Sequence, residues 1–490
     1  MGMDFKMGWA AVVSRVVNTY PVRLAFLGSL LLSLIAIAGV VTVARDAAFY
    51  LTIAQQIADQ GPQAAKAFDW PWFAFLLAGT HRVLHLPIEL CAYLWCTLFL
   101  AGSCALMVDC VRQRTPQAAV WACLVVLAMP AVNAYRNDIL REFGFWFFCV
   151  LTLWLALRWQ SRGGWVRAGF IHLAILGAAF FRFEALMLLP ALGLWQLPNL
   201  FSQERRRRFL EFSLLPVVGG GLLIVALAVH GELSSSRIDF FVAMINPQRV
   251  FASLQQLSEQ FAGTLINDYS KGQAGQIVFF GMLATVLISF VKLLGPFSVP
   301  FLHRSGWQSL RTYWDEYRPF AWAALLYVVV LMLFFIRNQF VISRYISFLD
   351  LLTVPLVAVA LSVFAARFPR LGKALVVIGV LVMLSNVVST GARKTQYIEA
   401  AQWVEANIDP KAAVFYEDGR VSYYAGRGYA SSFRAREREM TPERAGAYRY
   451  FVIDARSDEP WLQEWLARNN KRVLAEFANR KKATVLIIGD

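Results

Sequence analysis

Arginines and carboxylates break the apolar sequence at four places, each time within a few positions of one another. Arg45 and Asp46 follow the first apolar run. Arg136, Asp138, Arg141 and Glu142 share one short turn. Arg182 and Glu184 sit between two apolar runs. Arg337 and Arg344 bracket the turn before Tyr345. These residue types suit two tasks. A carboxylate can take a proton from a hydroxyl. Guanidinium groups can hold a phosphate or pyrophosphate through paired hydrogen bonds. Plainer roles compete at each place. Arg45-Asp46 could be a helix-end charge pair, with Asp46 capping a helix that starts at Ala47. Arg182 and Glu184 could form a structural ion pair, and the arginines could be snorkelling anchors.

The surrounding composition raises the stakes of those charges. The chain has 490 residues, 58% hydrophobic and only 16% charged, with a mean hydropathy of +0.51. Soluble domains carry about 25% charged residues. A disordered chain, a disulfide-stapled secreted module and an ordinary cytosolic enzyme are excluded, which leaves a polytopic membrane protein. Charged groups at membrane depth are costly and are functional candidates for that reason. The six cysteines, Cys91, Cys96, Cys104, Cys110, Cys123 and Cys149, lie in or at the ends of apolar runs and read as buried hydrophobes.

About eleven spanning segments are expected. Nine approach full length: Val22 to Ala44, Ile88 to Val111, Ala118 to Ala134, Ile139 to Leu157, Leu210 to Val229, Gly275 to Leu294, Phe320 to Ile336, Tyr345 to Phe364 and Ala374 to Val388. Two shorter ones, Ala168 to Phe181 and Ala185 to Leu197, make a hairpin with Arg182 and Glu184 at its tip. The first limb has about 14 apolar residues and spans roughly 21 Å, short of a bilayer core of about 30 Å. Its tip is therefore expected to face a water-filled cavity.

Basic residues gather in alternate short loops: Arg112 and Arg114; Arg158, Arg162 and Arg167; Arg205 to Arg208; Lys292 to Arg318; and Arg367 to Lys373. The positive-inside rule makes these cytoplasmic. The N-terminus, with Lys6, Arg15 and Arg23, is then inside and the C-terminus outside. The net charge of +15 reflects this topology, and a nucleic-acid partner loses its support. The outer regions are 45–87, with an interfacial helix near Trp70 and Trp72, the turn from Tyr135 to Glu142, and 230–274. Residues 1–390 form the membrane domain.

Residues 391–490 are expected to form a small extracytoplasmic α/β domain. Its reading is helix Thr395 to Ala406, strands Ala412 to Tyr416, Val421 to Tyr424 and Tyr450 to Asp454, helix Pro460 to Asn469, and strands Arg472 to Phe477 and Ala483 to Ile488. His81 and His85 stand at i, i+4 spacing without the glutamate of a zinc-protease helix. No Walker A or dinucleotide-binding glycine motif stands before a helix.

The order of short motifs resembles a known superfamily. Arg45-Asp46-Ala47-Ala48-Phe49-Tyr50 closes the first helix, and Asp69-Trp70-Pro71-Trp72 follows in the outer loop. Phe181-Arg182-Phe183-Glu184-Ala185-Leu186 forms the hairpin tip, and Ser343-Arg344-Tyr345 a late turn. The tail carries Asp409-Pro410, Ala413-Val414-Phe415-Tyr416 and Tyr423-Tyr424-Ala425-Gly426. Together they resemble the GT-C superfamily of integral-membrane glycosyltransferases, of the protein mannosyltransferase and lipid A aminoarabinose transferase type.

The resemblance implies transfer of a sugar from a polyprenyl-phosphate donor to a lipid, glycan or protein acceptor on the outer face, with inversion. Asp46 matches the essential acid of the first outer loop, with Asp138 or Glu142 as the second acidic group. Arg182 and Arg344, with Arg45, Arg136, Arg141, Glu184 and Tyr345, would hold the lipid phosphate. Two departures stand out. Ala47 replaces the second acid found beside the first in many relatives, so no metal cofactor is expected. Asp69-Trp70-Pro71-Trp72 replaces a Lys-Pro-Pro stretch. The alternatives are an oligosaccharide polymerase or ligase using a diphosphate-linked glycan, and a lipid flippase or transporter. A bacterial inner membrane, with a periplasmic tail, is the expected location.

Overall fold

A computed structural model of the chain describes residues 19–230, 236–388, 393–430 and 436–490. Lys6, Arg15 and the expected boundary at 390/391 lie outside the described residues. The chain divides into two compact units. One comprises the chain up to Leu34, Cys96–Arg136 and Arg141–Val387. The other comprises Ile35–Trp95, Asn137–Leu140 and Val388–Asp490. The C-terminal tail thus shares a unit with the first expected outer loop.

Among the described residues, six helices are long and apolar enough to cross a membrane: Pro21–Ala38, Ile88–Arg114, Glu142–Arg162, Ala274–Leu302, Arg318–Asn338 and Pro369–Val387. A seventh candidate is Ser343–Leu352 with Val354–Arg367, bent by 61° at their junction. The bend has a local cause. Pro355 lacks the N–H that would continue the first helix. Thr353 turns its hydroxyl onto the Asp350 carbonyl instead, at 2.9 Å. The expected runs at 118–134 and 168–181 are shorter helices, Pro116–Ala128 and Trp165–Phe181, and the second hairpin limb is the 13-residue helix Leu188–Leu200.

In the first unit, glycines let two helices close on each other. A Cβ at Gly144 would lie 2.3 Å from the Phe181 ring, and one at Gly177 would lie 2.8 Å from Phe148. Glu142–Arg162 and Trp165–Phe181 therefore pack ring into notch at both positions. All six cysteines are free and buried.

The tail carries a four-stranded sheet of β1 (Val414–Tyr416), β2 (Tyr450–Ile453), β3 (Arg472–Ala478) and β4 (Thr484–Gly489), in the order β1-β2-β4-β3. β1 pairs parallel to β2, while β4 is antiparallel to both its neighbours. Alternation sorts the side chains onto two faces. Val485 and Ile487 pack with Val452, Ala400 and Val404 of helix Gln396–Asn407. Leu486 and Ile488 pack with Phe451, Leu462 and Leu466 of helix Pro460–Asn469. One expected strand is absent. Residues 421–424 belong to a short helix, Gly419–Tyr424, which Asp418 caps by accepting from the Arg420 N–H at 2.9 Å. The β-prone Val421, Tyr423 and Tyr424 misled the propensity reading, and the cap decided the conformation.

Candidate functional site

Phe181 seats on Gly144, so the next residue, Arg182, arrives at the start of helix Glu142–Arg162. Its backbone turns extended and opens a short 3-10 helix, Phe183–Met187. The Arg182 guanidinium then donates to Glu142 Oε1 at 2.8 Å and to Glu184 Oε1 at 2.5 Å. All three side chains are under a tenth exposed. Arg344 reaches the same Glu142 oxygen at 3.3 Å. The Tyr345 ring lies 4.5 Å from the Arg182 guanidinium carbon and is held from behind, its backbone carbonyl accepting from the Tyr327 hydroxyl at 2.9 Å. Arg141 directly precedes the helix, without a side-chain capping bond, and acts electrostatically on both carboxylates. Arg182 thus joins Glu142 and Glu184, and Arg344 joins Glu142, in one buried cluster. Glu142 Oε2 and Glu184 Oε2 have no hydrogen-bond partner among the described residues.

Five residues picked out in the sequence, Glu142, Arg182, Glu184, Arg344 and Tyr345, are therefore brought together, with Arg141 beside them. Arg136 is placed elsewhere. It is 2% exposed and donates to Asn133 Oδ1 and to Ser29 and Ser33 of the first helix. Those bonds tie two elements together.

The remaining residues belong to the second unit. Helix Arg45–Gln60 starts two residues earlier than expected, so Asp46 lies in its first turn rather than at the cap. A carboxylate there complements the helix dipole. Asp138 lies between two helices and is half-buried. Arg45 forms an ion pair with Asp418 Oδ2 at 3.0 Å, and Arg420 binds both oxygens of the same carboxylate at 2.9 and 2.7 Å. The Tyr424 hydroxyl accepts from the Val43 N–H at 2.7 Å. Burial works to raise the Asp418 carboxyl, but the hydrogen bonds and charge of Arg420, helped by Arg45, outweigh it and hold it below the ordinary range. Asp418 and Arg420 were missed in the sequence; the available signal was Asp418-Gly419 directly after a strand. His81 and His85 do not act as a pair. His81 Nδ1 donates to the Leu86 carbonyl at 2.7 Å, and His85 ends its helix in a left-handed conformation at φ 54°.

The fold has solved counterparts. ArnT from Cupriavidus metallidurans, in the apo state, matches 99% of this chain over 98% of its own, with a TM-score of 0.60 and 12% identity. The chain therefore shares its fold with that protein. The Archaeoglobus fulgidus oligosaccharyltransferase, tethered to an acceptor peptide containing the NVT sequon, matches 90% of this chain over 70% of its own, with a TM-score of 0.53 and 11% identity. No protein-family model and no curated protein sequence matches the chain, so the GT-C likeness rests on structure.

Proposed function

We propose that the protein is a membrane glycosyltransferase that moves a sugar from a polyprenyl-phosphate carrier to a lipid, glycan or protein acceptor on the outer face of a bacterial inner membrane. The observation that carries this reading is the buried Arg182–Glu142–Arg344–Glu184 cluster in a chain of GT-C fold. Its clustered guanidinium groups suit a phosphate that gains charge as the sugar departs. The Tyr345 ring and the two carboxylates hold the guanidinium planes in place beforehand.

In the proposed reaction the acceptor hydroxyl gives its proton to Asp46. The freed oxygen attacks the anomeric carbon from the face opposite the phosphate, and the carbon–oxygen bond to the phosphate breaks with inversion. Polyprenyl phosphate leaves carrying the extra charge, which Arg182 and Arg344, with Arg141, stabilise. No metal is required.

Purified protein in lipid nanodiscs tests this with radiolabelled polyprenyl-phosphate sugars. Transfer to an acceptor extract is expected, and EDTA is expected to leave it unchanged. Transfer only from a diphosphate-linked glycan would favour the ligase class instead. Asp46→Asn should reduce transfer by at least 100-fold, on the order of the loss of a general base, with membrane insertion intact. Near-normal transfer by that variant removes Asp46 from the mechanism.

A further inference from the structure

A cavity of about 540 Å³ opens within the second unit, in the size range of small-molecule sites. Helix Arg45–Gln60 lines it with Thr52, Gln55 and Gln56, and His81, Glu89, Tyr423 and Arg427 complete its polar side chains. Thr52 lies about 9 Å along the helix from Asp46 and about 120° round it; Gln55 lies about 14 Å along and on the opposite face. The cavity is therefore set back from Asp46.

Thr52 is the informative residue. It is 7% exposed, yet its hydroxyl has no hydrogen-bond partner among the described residues. A threonine within a helix ordinarily bonds the carbonyl one turn back. A buried hydroxyl left without a partner is costly unless water or a ligand supplies one. The loop that faces it comes close, since a Cβ at Gly428 would lie 3.2 Å from the Thr52 methyl, and Gly428 has a left-handed φ of +70°.

The other groups define the ligand. Arg427 lines the cavity, but its guanidinium donates to the Tyr416 hydroxyl and to the Val404 and Ile408 carbonyls. The carboxylate of Glu89 makes no ion pair among the described residues. Because His81 Nδ1 donates to Leu86, Nε2 is the ring nitrogen left for a ligand. Burial and nearby Glu89 push the Tyr423 phenol up, so it stays protonated and can donate. Acceptors, hydroxyls and amides beside one tyrosine ring suit a ligand with many hydroxyl groups and one apolar face. The two formal charges that line the cavity, Arg427 and Glu89, are opposite in sign, so a phosphate would meet no net positive charge there.

We propose that this cavity binds a neutral, hydroxyl-rich sugar unit belonging to the acceptor, behind the end that reacts. The assignment of that sugar to the acceptor rests on the transferase reading above.

Saturation-transfer NMR on the full chain in nanodiscs tests it, with methyl β-glucopyranoside as the probe. Glucosamine and glucose 6-phosphate serve as charged comparisons. The neutral glycoside is expected to receive saturation, glucose 6-phosphate none. Thr52→Val and Glu89→Gln should each weaken the signal at least fivefold. Thr52→Val should keep or raise the unfolding temperature, because the lost hydroxyl bonds nothing in the protein. Excess polyprenyl-phosphate sugar should not displace the glycoside. No signal, an unchanged signal in both variants, a preference for either charged sugar, or displacement by the donor each overturns the assignment. A chain that transfers sugar but binds no glycoside overturns this inference and leaves the transferase reading intact. Glycoside binding without transfer from any lipid-linked donor overturns the transferase reading and the acceptor role with it.

Discussion

Arg182 serves two carboxylates at once, Glu142 and Glu184, with Tyr345 against its face. Arg182→Ala removes the ion-pair partner of buried Glu184 and leaves Glu142 to Arg344, and is expected to cost about 3–5 kcal/mol, read as a lowered unfolding temperature. Arg182→Lys should fold more nearly normally yet lose most transfer, because a point charge cannot reproduce the planar fork. Asp418 makes a pH prediction. Its folded-state carboxyl is depressed, so its stabilisation is full above the unfolded value of about 3.9 and is lost as pH falls through the folded value. Asp418→Asn should therefore destabilise the chain at pH 7, by about 1.5–3 kcal/mol through the buried Arg420 contact, with the gap to wild type narrowing as pH falls below about 3.9. The half-exposed Arg45 adds little. The sequence singled out the residues of the arginine cluster because charges are conspicuous in apolar runs. It did not distinguish Arg136, which binds the first helix, from Arg182, which meets carboxylates. Both are arginines beside spans, and only three-dimensional neighbours separate them.

The pairing of Glu142–Arg162 with Trp165–Phe181 depends on glycine at two notches. Gly144→Ala puts a methyl into the Phe181 ring and should cost about 1–3 kcal/mol by overpacking. It should also lower transfer, because Phe181 positions Arg182. Gly193→Ala is the matched control. That glycine lies within helix Leu188–Leu200, with open space where its Cβ would be, so stability should hold or rise slightly through helix propensity. Thermal unfolding of both variants in nanodiscs separates a specific clash from a general effect of added bulk. Much of this level was legible. β4 stood out as an unbroken apolar run because it is buried on both faces, and helix Pro460–Asn469 began where Pro460 is expected at a first helical position. The break after Leu352 was not legible, because the apolar run passes through Thr353 and Pro355 without a change in hydropathy.

Of the eleven expected spans, the described helices support six or seven by length and composition, and others correspond to shorter apolar helices. Fold class was legible all the same, because composition forces it. The makeup of the second unit was not. Nothing local in the sequence links Arg45 to Asp418, 373 positions apart. The same distance dictates when the protein can become whole. Helix Arg45–Gln60 is synthesised early, while its ion-pair partner Asp418 and the central strand Thr484–Gly489 come at the end. Closing contacts so remote in sequence is slow and entropically costly. A chain ending at Lys394 should insert in the membrane but leave that helix open to protease, with cleavage within 45–60 absent from the full chain. The helix carrying Asp46 would then stay unlocked until the last residues are made, so an unfinished chain still on the ribosome would be inactive.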